Sequence, residues 1–436
     1  MTTTHIRPRT AGPLTVLLSA TGQAGFNTRV AGKSRWLEPL AILCCMVNAL
    51  SADTYGLFTY TVNGGEVTIT GYPTDAEGAV VIPAKLPPDI GNPVTRIGDA
   101  AFSDCGGLTS VTIPVGVTHI GNNAFYYCYG MTNVTIPDGV THIGDFAFSY
   151  CEGLTSMTIP SSVTHIGVNA FQGCSGLTSV KIPTSVTSIG VETFAGCSGL
   201  TSVKIPTSVT SIGDRAFGDC SALASVTIPA GVTSIGASAF QNCIGLTSVM
   251  IAPSVTSIGD YAFASCGALS TMHCLGNAPA LGTNVFDSSK TFTLYRFADK
   301  TGFDVVPWTA YPYVSLGDST PVAPWLLLNG FTLTTDLLTD SNNDGVNLLM
   351  AYALNLDPHA NLSGSMPQPV IDGTHMHLTF YAGSAGVTYA VETSTDMKDR
   401  TWTNVPLSDP PDANQCRTAT VDRNVPSRFM RLVVRY

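Results

Sequence analysis

Cysteine recurs every 23 residues along this chain, at positions 105, 128, 151, 174, 197, 220, 243 and 266. The other landmarks keep the same step. One unit reads Leu108-x-x-Val111-x-Ile113-Pro114-x-x-Val117-x-x-Ile120-Gly121-x-x-Ala124-Phe125-x-x-Cys128. A unit this short cannot bury its own apolar face, so successive units must stack and share one continuous core. Residues 174–190 and 197–213 are identical, which marks a recent duplication.

Within a unit, Val111 and Ile113 alternate with polar residues as a short strand does. Stacked copies predict a parallel sheet with strands about 4.8 Å apart. The proline that follows (Pro114, Pro137, Pro160) cannot donate a ladder hydrogen bond and ends the strand. Val117 and Ile120 return the chain to the core, and Gly121 permits a close turn. Asp145, Asp214 and Asp260 follow the equivalent glycines and are expected to cap a short helical turn through Ala-Phe. Phe125, Phe148, Phe171, Phe194, Phe217, Phe240 and Phe263 are expected to stack as an internal spine.

This unit resembles the BspA-like family of bacterial surface leucine-rich repeats, over about residues 55–318. Phe58–Val62 and Glu66–Tyr72 look like that family's β-hairpin cap. Val80-Val81-Ile82-Pro83 and Val94–Gly98 look like a longer first turn. Gly276–Pro279 and Leu294-Tyr295 look like degenerate last turns. The resemblance implies a right-handed solenoid coil and an exported or surface protein with a role in adhesion or protein binding.

Charged residues make up 11% of the chain and the net charge is −10. Such a chain lacks the clustered Lys and Arg that nucleic-acid binding needs, and it suits anionic membranes poorly. Near the N-terminus, Arg29, Lys33 and Arg35 precede the apolar run Leu40–Val47, which closes on small residues to Ala52. That order predicts a secretory signal peptide after a long basic region. The run is too short to span a bilayer. No other segment reads as transmembrane, so the mature chain is expected to be secreted or held at the cell surface.

All eight repeat cysteines hold one position and point into the core. They are expected to be buried free thiols packing as small apolar groups, rather than disulfides or zinc ligands. His119, His142 and His165 also recur at the repeat step and should form an exposed ladder. Ser188, Ser211, Ser234 and Ser257 then replace them. The outward strand positions, such as Ser110/Thr112 and Ser156/Thr158, form a hydroxyl face that Lys181 and Lys204 interrupt. Tyr126, Tyr127, Tyr129 and Tyr150 cluster on loops around two repeat cysteines and form the candidate contact patch, because Tyr supplies amphipathic contact area at low entropic cost.

The spacing divides the chain into residues 1–52 (basic region and signal peptide), 53–79 (β cap), 80–317 (solenoid), 318–335 (linker) and 336–436 (a C-terminal β module). The linker is marked by Pro321 and Pro324. In the module, Asp340, Asn342 and Asp344 with Gly345 match the first half of a calcium loop. The twelfth position is Ala351 instead of the expected Glu. A turn capping the helix over Val346–Leu354 needs the same residues, so weak calcium binding is the alternative to capping and no cofactor is otherwise expected. His375–Tyr381, Val387–Thr393, Arg417–Val421 and Phe429–Val434 alternate like strands of a small antiparallel sandwich.

No G-x-S-x-G, H-E-x-x-H or phosphate-binding glycine loop occurs, which argues against an enzyme. The expected function is an exported scaffold that binds a protein or glycan outside the cell. The alternative is a structural spacer of the envelope or matrix.

Overall fold

The computed structural model describes residues 53–435 apart from 89–90, 290, 345, 363, 373–374, 395–402, 409–410, 413–414 and 423–428. The expected signal peptide lies outside the described residues.

The chain forms a β-solenoid with a β-hairpin cap and C-terminal antiparallel sheets. In the cap, Phe58–Asn63 and Glu66–Gly71 pair antiparallel around Gly64-Gly65. Both glycines have positive φ (60° and 85°), as a two-residue hairpin turn requires. The second cap strand then pairs in parallel with Asn92–Ile97, so the cap seeds the stack.

Each coil contributes two strands. The first begins at positions such as Ser156, Ser179 or Ser202 and stacks in parallel at the repeat register, for example Ser179↔Ser202 and Val180↔Val203. The proline that ends it closes a turn, since its carbonyl accepts from the valine three residues on (Val117 N to Pro114 O, 3.1 Å). The second strand is a pair such as His119–Ile120 or Ser211–Ile212. Phe102 to Phe286 stack in one column, with centroids 5.1–5.9 Å apart and planes within 14°. All but Phe286 are fully buried.

The aspartates after the glycines do not cap helices. Asp145 Oδ1 accepts from the amide of Val168 in the next coil, and Asp99, Asn122, Asp214 and Asp260 do likewise. The Ala-Phe segment is a run of turns that donates alternately within and between coils. Tyr126 N bonds Asn123 O, while Asn123 N, Phe125 N and Tyr127 N bond Asp145 O, Ala147 O and Ser149 O. A helix would turn every one of these donors inward along its own axis and leave the neighbouring coil's carbonyls without partners.

The segment expected as a linker also differs. It carries helix α1 (Ala323–Leu328), with Pro324 in its first turn. Proline is tolerated there because that amide has no intrahelical acceptor. Ala323, Leu327 and Leu328 share an apolar cluster with Leu275, Phe297, Leu316 and Met250 of the last coils. Val322 and Leu326 cluster with Tyr352 of helix α2 (Leu348–Ala353). The C-terminal strands His375–Tyr381, Thr388–Ser394, Cys416–Asp422 and Phe429–Arg435 fall where alternation placed them. They form two three-stranded sheets, completed by Val370–Asp372 and Thr403–Val405, around one small core.

Candidate functional site

Bonding between coils requires some residues to adopt left-handed backbone angles. One such position directly precedes the repeat cysteine. It holds Asp104, Gly173, Gly196, Asp219, Asn242, Ser265 and Ser288 in most coils, but Tyr127 and Tyr150 in two of them, both at φ 59°. Gly, Asn and Asp adopt this conformation readily, whereas a bulky side chain costs about 1–2 kcal/mol. The second left-handed position varies more: it holds Ala100, Asn123, Asn169, Glu192, Arg215, Ser238, Tyr261 and Asn284, and Phe146 at φ 55°. At the position before the cysteine, tyrosine therefore stands where the other coils carry Gly, Asn, Asp or Ser.

These aromatics meet. Tyr127 and Tyr150 stack with centroids 4.7 Å apart. Tyr126 packs edge-on against Tyr127 at 4.6 Å, Tyr150 at 6.0 Å and Phe146 at 6.5 Å. Burial among these rings, then the adjacent Tyr127 and Tyr150, raise the Tyr126 hydroxyl above its ordinary pKa. Tyr127 remains 39% exposed. Tyr129 is elsewhere: its ring lies over Gly106, where a Cβ would come within 2.3 Å of it. Phe146 was missed in the sequence, although the repeat alignment sets it against Asn123 and Asn169.

Lys181 and Lys204 are register partners on the strand face. Lys204 is not open to a ligand on equal terms, because its Nζ lies 2.8 Å from Asp357 Oδ2 of the C-terminal module. With the α1 cluster on Met250, Leu275 and Phe297, this puts the chain's own C-terminal part against the later coils.

On the second strand, Arg96, His119, His142 and His165 form one column in parallel register. The imidazole centroids are 4.7 and 5.6 Å apart. The Thr118 and Thr141 hydroxyls hydrogen-bond Nδ1 of His119 and His142 at 2.8 and 2.9 Å. The column lines an open groove of about 320 Å³ with Asp99, Asn122 and Asp145. Burial, then Arg96 and His142, hold His119 below the usual imidazole pKa.

The repeat cysteines are free and buried. Each thiol from Cys128 to Cys266 donates to the carbonyl of the spine phenylalanine one coil back, at 3.1–3.2 Å. Burial pushes the Cys174, Cys220 and Cys266 thiols up to about 12, so they stay protonated at neutral pH. Ser289 takes the next place in the column and its hydroxyl makes the same bond, to Phe263 O.

In the C-terminal loop, Asp344 Oδ1 accepts from Val346 N and Oδ2 from Leu362 N. These bonds, that of Leu362 first, hold its carboxyl below the ordinary range. Asn342 Nδ2 donates to Ala360 O, and Asp340 Oδ1 accepts from Asp344 N. The loop is thus pinned to residues 360–362, and a cation would compete with these amides for the same oxygens. Helix α2 is capped by Asn347, whose side chain accepts from Met350 N, rather than by the Asp/Asn turn. Among the described residues no cluster of His, Cys, Asp and Glu has metal-holding geometry, and no helix is long and apolar enough to cross a membrane.

The BspA-type leucine-rich repeat region matches this chain in six copies, over residues 88–201 and 166–293. No curated protein matches it. Among solved structures, a leucine-rich repeat protein from Bacteroides ovatus is 25% identical over 61% of this chain and 78% of its own, with TM-score 0.46. A leucine-rich cell surface protein from Faecalibacterium prausnitzii is 25% identical over 66% of this chain and all of its own, with TM-score 0.33. A leucine-rich repeat protein from Bacteroides capillosus is 31% identical over 30% of this chain and 96% of its own, with TM-score 0.27.

Proposed function

Because this chain belongs to the BspA-type leucine-rich repeat family, we propose that it is an exported binding scaffold at the bacterial cell surface that recognises a protein or glycan through the aromatic cluster of its early coils. The carrying observation is the placement of Tyr127 and Tyr150 at a left-handed backbone position that the other coils fill with Gly, Asn, Asp or Ser. Strained residues persist where something other than stability keeps them. Here the strain presents Tyr rings and hydroxyls to solvent, a residue type enriched in binding hot spots. Lys181 flanks the strand face as a secondary contact. Export rests on the basic flank and apolar run before residue 52.

The test is a glycan array and a panel of soluble matrix proteins probed with the full chain and with its Tyr127→Gly/Tyr150→Gly variant. Relief of the left-handed penalty offsets the flexibility cost of glycine, so the variant should melt where the parent does. A saturable partner whose affinity drops about tenfold or more in the variant supports the reading. No saturable partner, together with the protein cross-linked in the envelope, selects the spacer reading instead, which the unbroken phenylalanine column also suits.

A further inference from the structure

We propose that the strand Tyr313–Ser315, the open edge of the last coil, pairs antiparallel with the same strand of a second copy of this chain about a two-fold axis at Val314. The strand ends an eight-stranded sheet and has a neighbour on one side only. Leu294 N donates to Pro312 O and Leu316 N to Arg296 O, each at 2.8 Å. In a parallel ladder those bonds turn residues 312, 314 and 316 toward the sheet. The backbone N–H and C=O groups of Tyr313 and Ser315 then face outward, and no described group bonds them.

Such an edge is a template for another strand, and natural sheets guard it with charge, proline or a bulge. This one carries Tyr, Val and Ser in regular register, with all three residues exposed. The other end of the solenoid is covered by the cap hairpin. Here the chain turns away instead: Ser319 bonds Asp299, and helix α1 packs on Leu275 and Phe297. A free solenoid end calls for a polar outer face, whereas this one is apolar. The outer row of the strand face changes character as it nears the edge. Earlier coils carry Thr158, Lys181, Lys204 and Thr227, and Met250, His273, Tyr295 and Val314 follow in register. On the inner row, the Arg296 guanidinium lies 4.2 Å from the Tyr313 ring centroid and holds that side chain in place. Val305 and Val306 of the same coil add exposed apolar surface.

Symmetry identifies the occupant. The outward backbone groups sit equally on either side of Val314. Laid antiparallel about that residue, Tyr313 of each copy faces Ser315 of the other as a hydrogen-bonded pair that exchanges both its bonds. Val314 faces Val314 in the closer, non-hydrogen-bonded pair, at a Cα separation of about 4.5 Å. The strand has no charged residue, so no like charges oppose each other across the axis. A two-fold interface of this kind closes at the dimer. A three-residue strand and two valines on each side make a small interface of the transient class. A dissociation constant on the order of 10–100 µM is expected. The dimer carries two tyrosine clusters, which on the reading above makes it bivalent for its ligand. The pairing itself does not rest on that reading, because the two surfaces share no residue.

The test is sedimentation velocity of the full chain from about 1 to about 500 µM, where a monomer–dimer equilibrium is expected. Val314→Lys sets like charges face to face on an exposed side chain. It should weaken association about tenfold or more at an unchanged melting temperature. Val314→Cys should form a disulfide dimer under mild copper–phenanthroline oxidation that leaves the parent monomeric on a non-reducing gel, since the paired Cα atoms lie within disulfide reach. That arm carries the test even where the lysine variant fails to fold. Ile371→Lys, on the exposed edge strand of the C-terminal sheet, should change nothing, as should Tyr127→Gly/Tyr150→Gly. A monomer throughout, growth beyond the dimer, association that survives Val314→Lys, or association lost in Ile371→Lys overturns the proposal. So does a Val314→Cys protein that stays monomeric under oxidation.

Discussion

The coils from Arg96 to Gly167 and those from Ser188 onward share a core but not a surface. Both bury the same Leu, Val, Ile, Phe and Cys columns. The early coils carry the imidazole column, the tyrosine stack and an unbroken Asp99–Asn122–Asp145 ladder. The later coils carry serines in place of the imidazoles and contact the C-terminal module through Lys204 and helix α1 through Met250. Between the two blocks lies a seam. One sheet ends at His165–Ile166 and the next starts at Ser188–Ile189. A Cβ on Gly167 or Gly213 would lie 2.5 or 2.7 Å from the preceding coil's backbone, but on Gly190 the nearest backbone atom is 3.9 Å away. Two substitutions coincide with the gap. Val168 offers no oxygen where Asp145 does, and Thr193 replaces the alanine of other coils, with its buried hydroxyl unpartnered. A solenoid can thus keep its core in register while loosening the bonds between two blocks that present different surfaces.

The largest effects test whether the core really is common. Phe125→Ala and Phe217→Ala, one in each block, should each lose about 3–5 kcal/mol by denaturant unfolding. If one costs far more than the other, the shared-core half of the comparison breaks. Thr193→Ala acts in the opposite direction. It restores the residue found at Ala170 and Ala216 and removes an unsatisfied hydroxyl, so it should stabilise by about 1–2 kcal/mol. A destabilised Thr193→Ala protein would mean the hydroxyl has a partner and the seam is closed.

The sequence carried much of this, and the reason for the limit is geometric. The repeat period names each buried column, because burial at a given position recurs whenever the coil recurs. Strand alternation likewise placed four strands of the C-terminal module. What escaped were relations between coils. Asp145 after Gly144 looks like a helix cap along the chain, yet its partner is Val168, 23 residues on. Left-handed angles at Tyr127 and Phe146 leave no local mark, because the side chains there are the ones least suited to them. Helix α1 was hidden by Pro321 and Pro324, although Trp325-Leu326-Leu327-Leu328 is an apolar run. Of the candidate tyrosines, three meet and Tyr129 does not, since only the fold reveals that its ring is drawn over Gly106. The Lys204–Asp357 contact joins residues 153 apart, beyond any local pattern.

Asp145→Ala probes the ladder of the early coils. It removes the acceptor of the Val168 amide, and a lost bond of this kind should cost about 1 kcal/mol. Asp214→Ala, which frees the Ala237 amide in the later coils, should cost about the same. Hydrogen exchange at Val168 and Ala237 reads each loss separately. A cost confined to one block would show that the ladder matters there alone.

The smallest effect concerns the join to the C-terminal module. Lys204 is 79% exposed at its side chain, so its ion pair with Asp357 is screened. Lys204→Ala should change stability by less than about 1 kcal/mol. Leu327→Asp, which puts a charge into the cluster with Leu275 and Phe297, should have the greater consequence for docking. Limited proteolysis between the solenoid and the module should leave the Lys204→Ala protein as resistant as the parent and make the Leu327→Asp protein sensitive. If Lys204→Ala alone releases the module, the ion pair and not the apolar helix face holds the later coils, and the two blocks differ by charge as well as by surface.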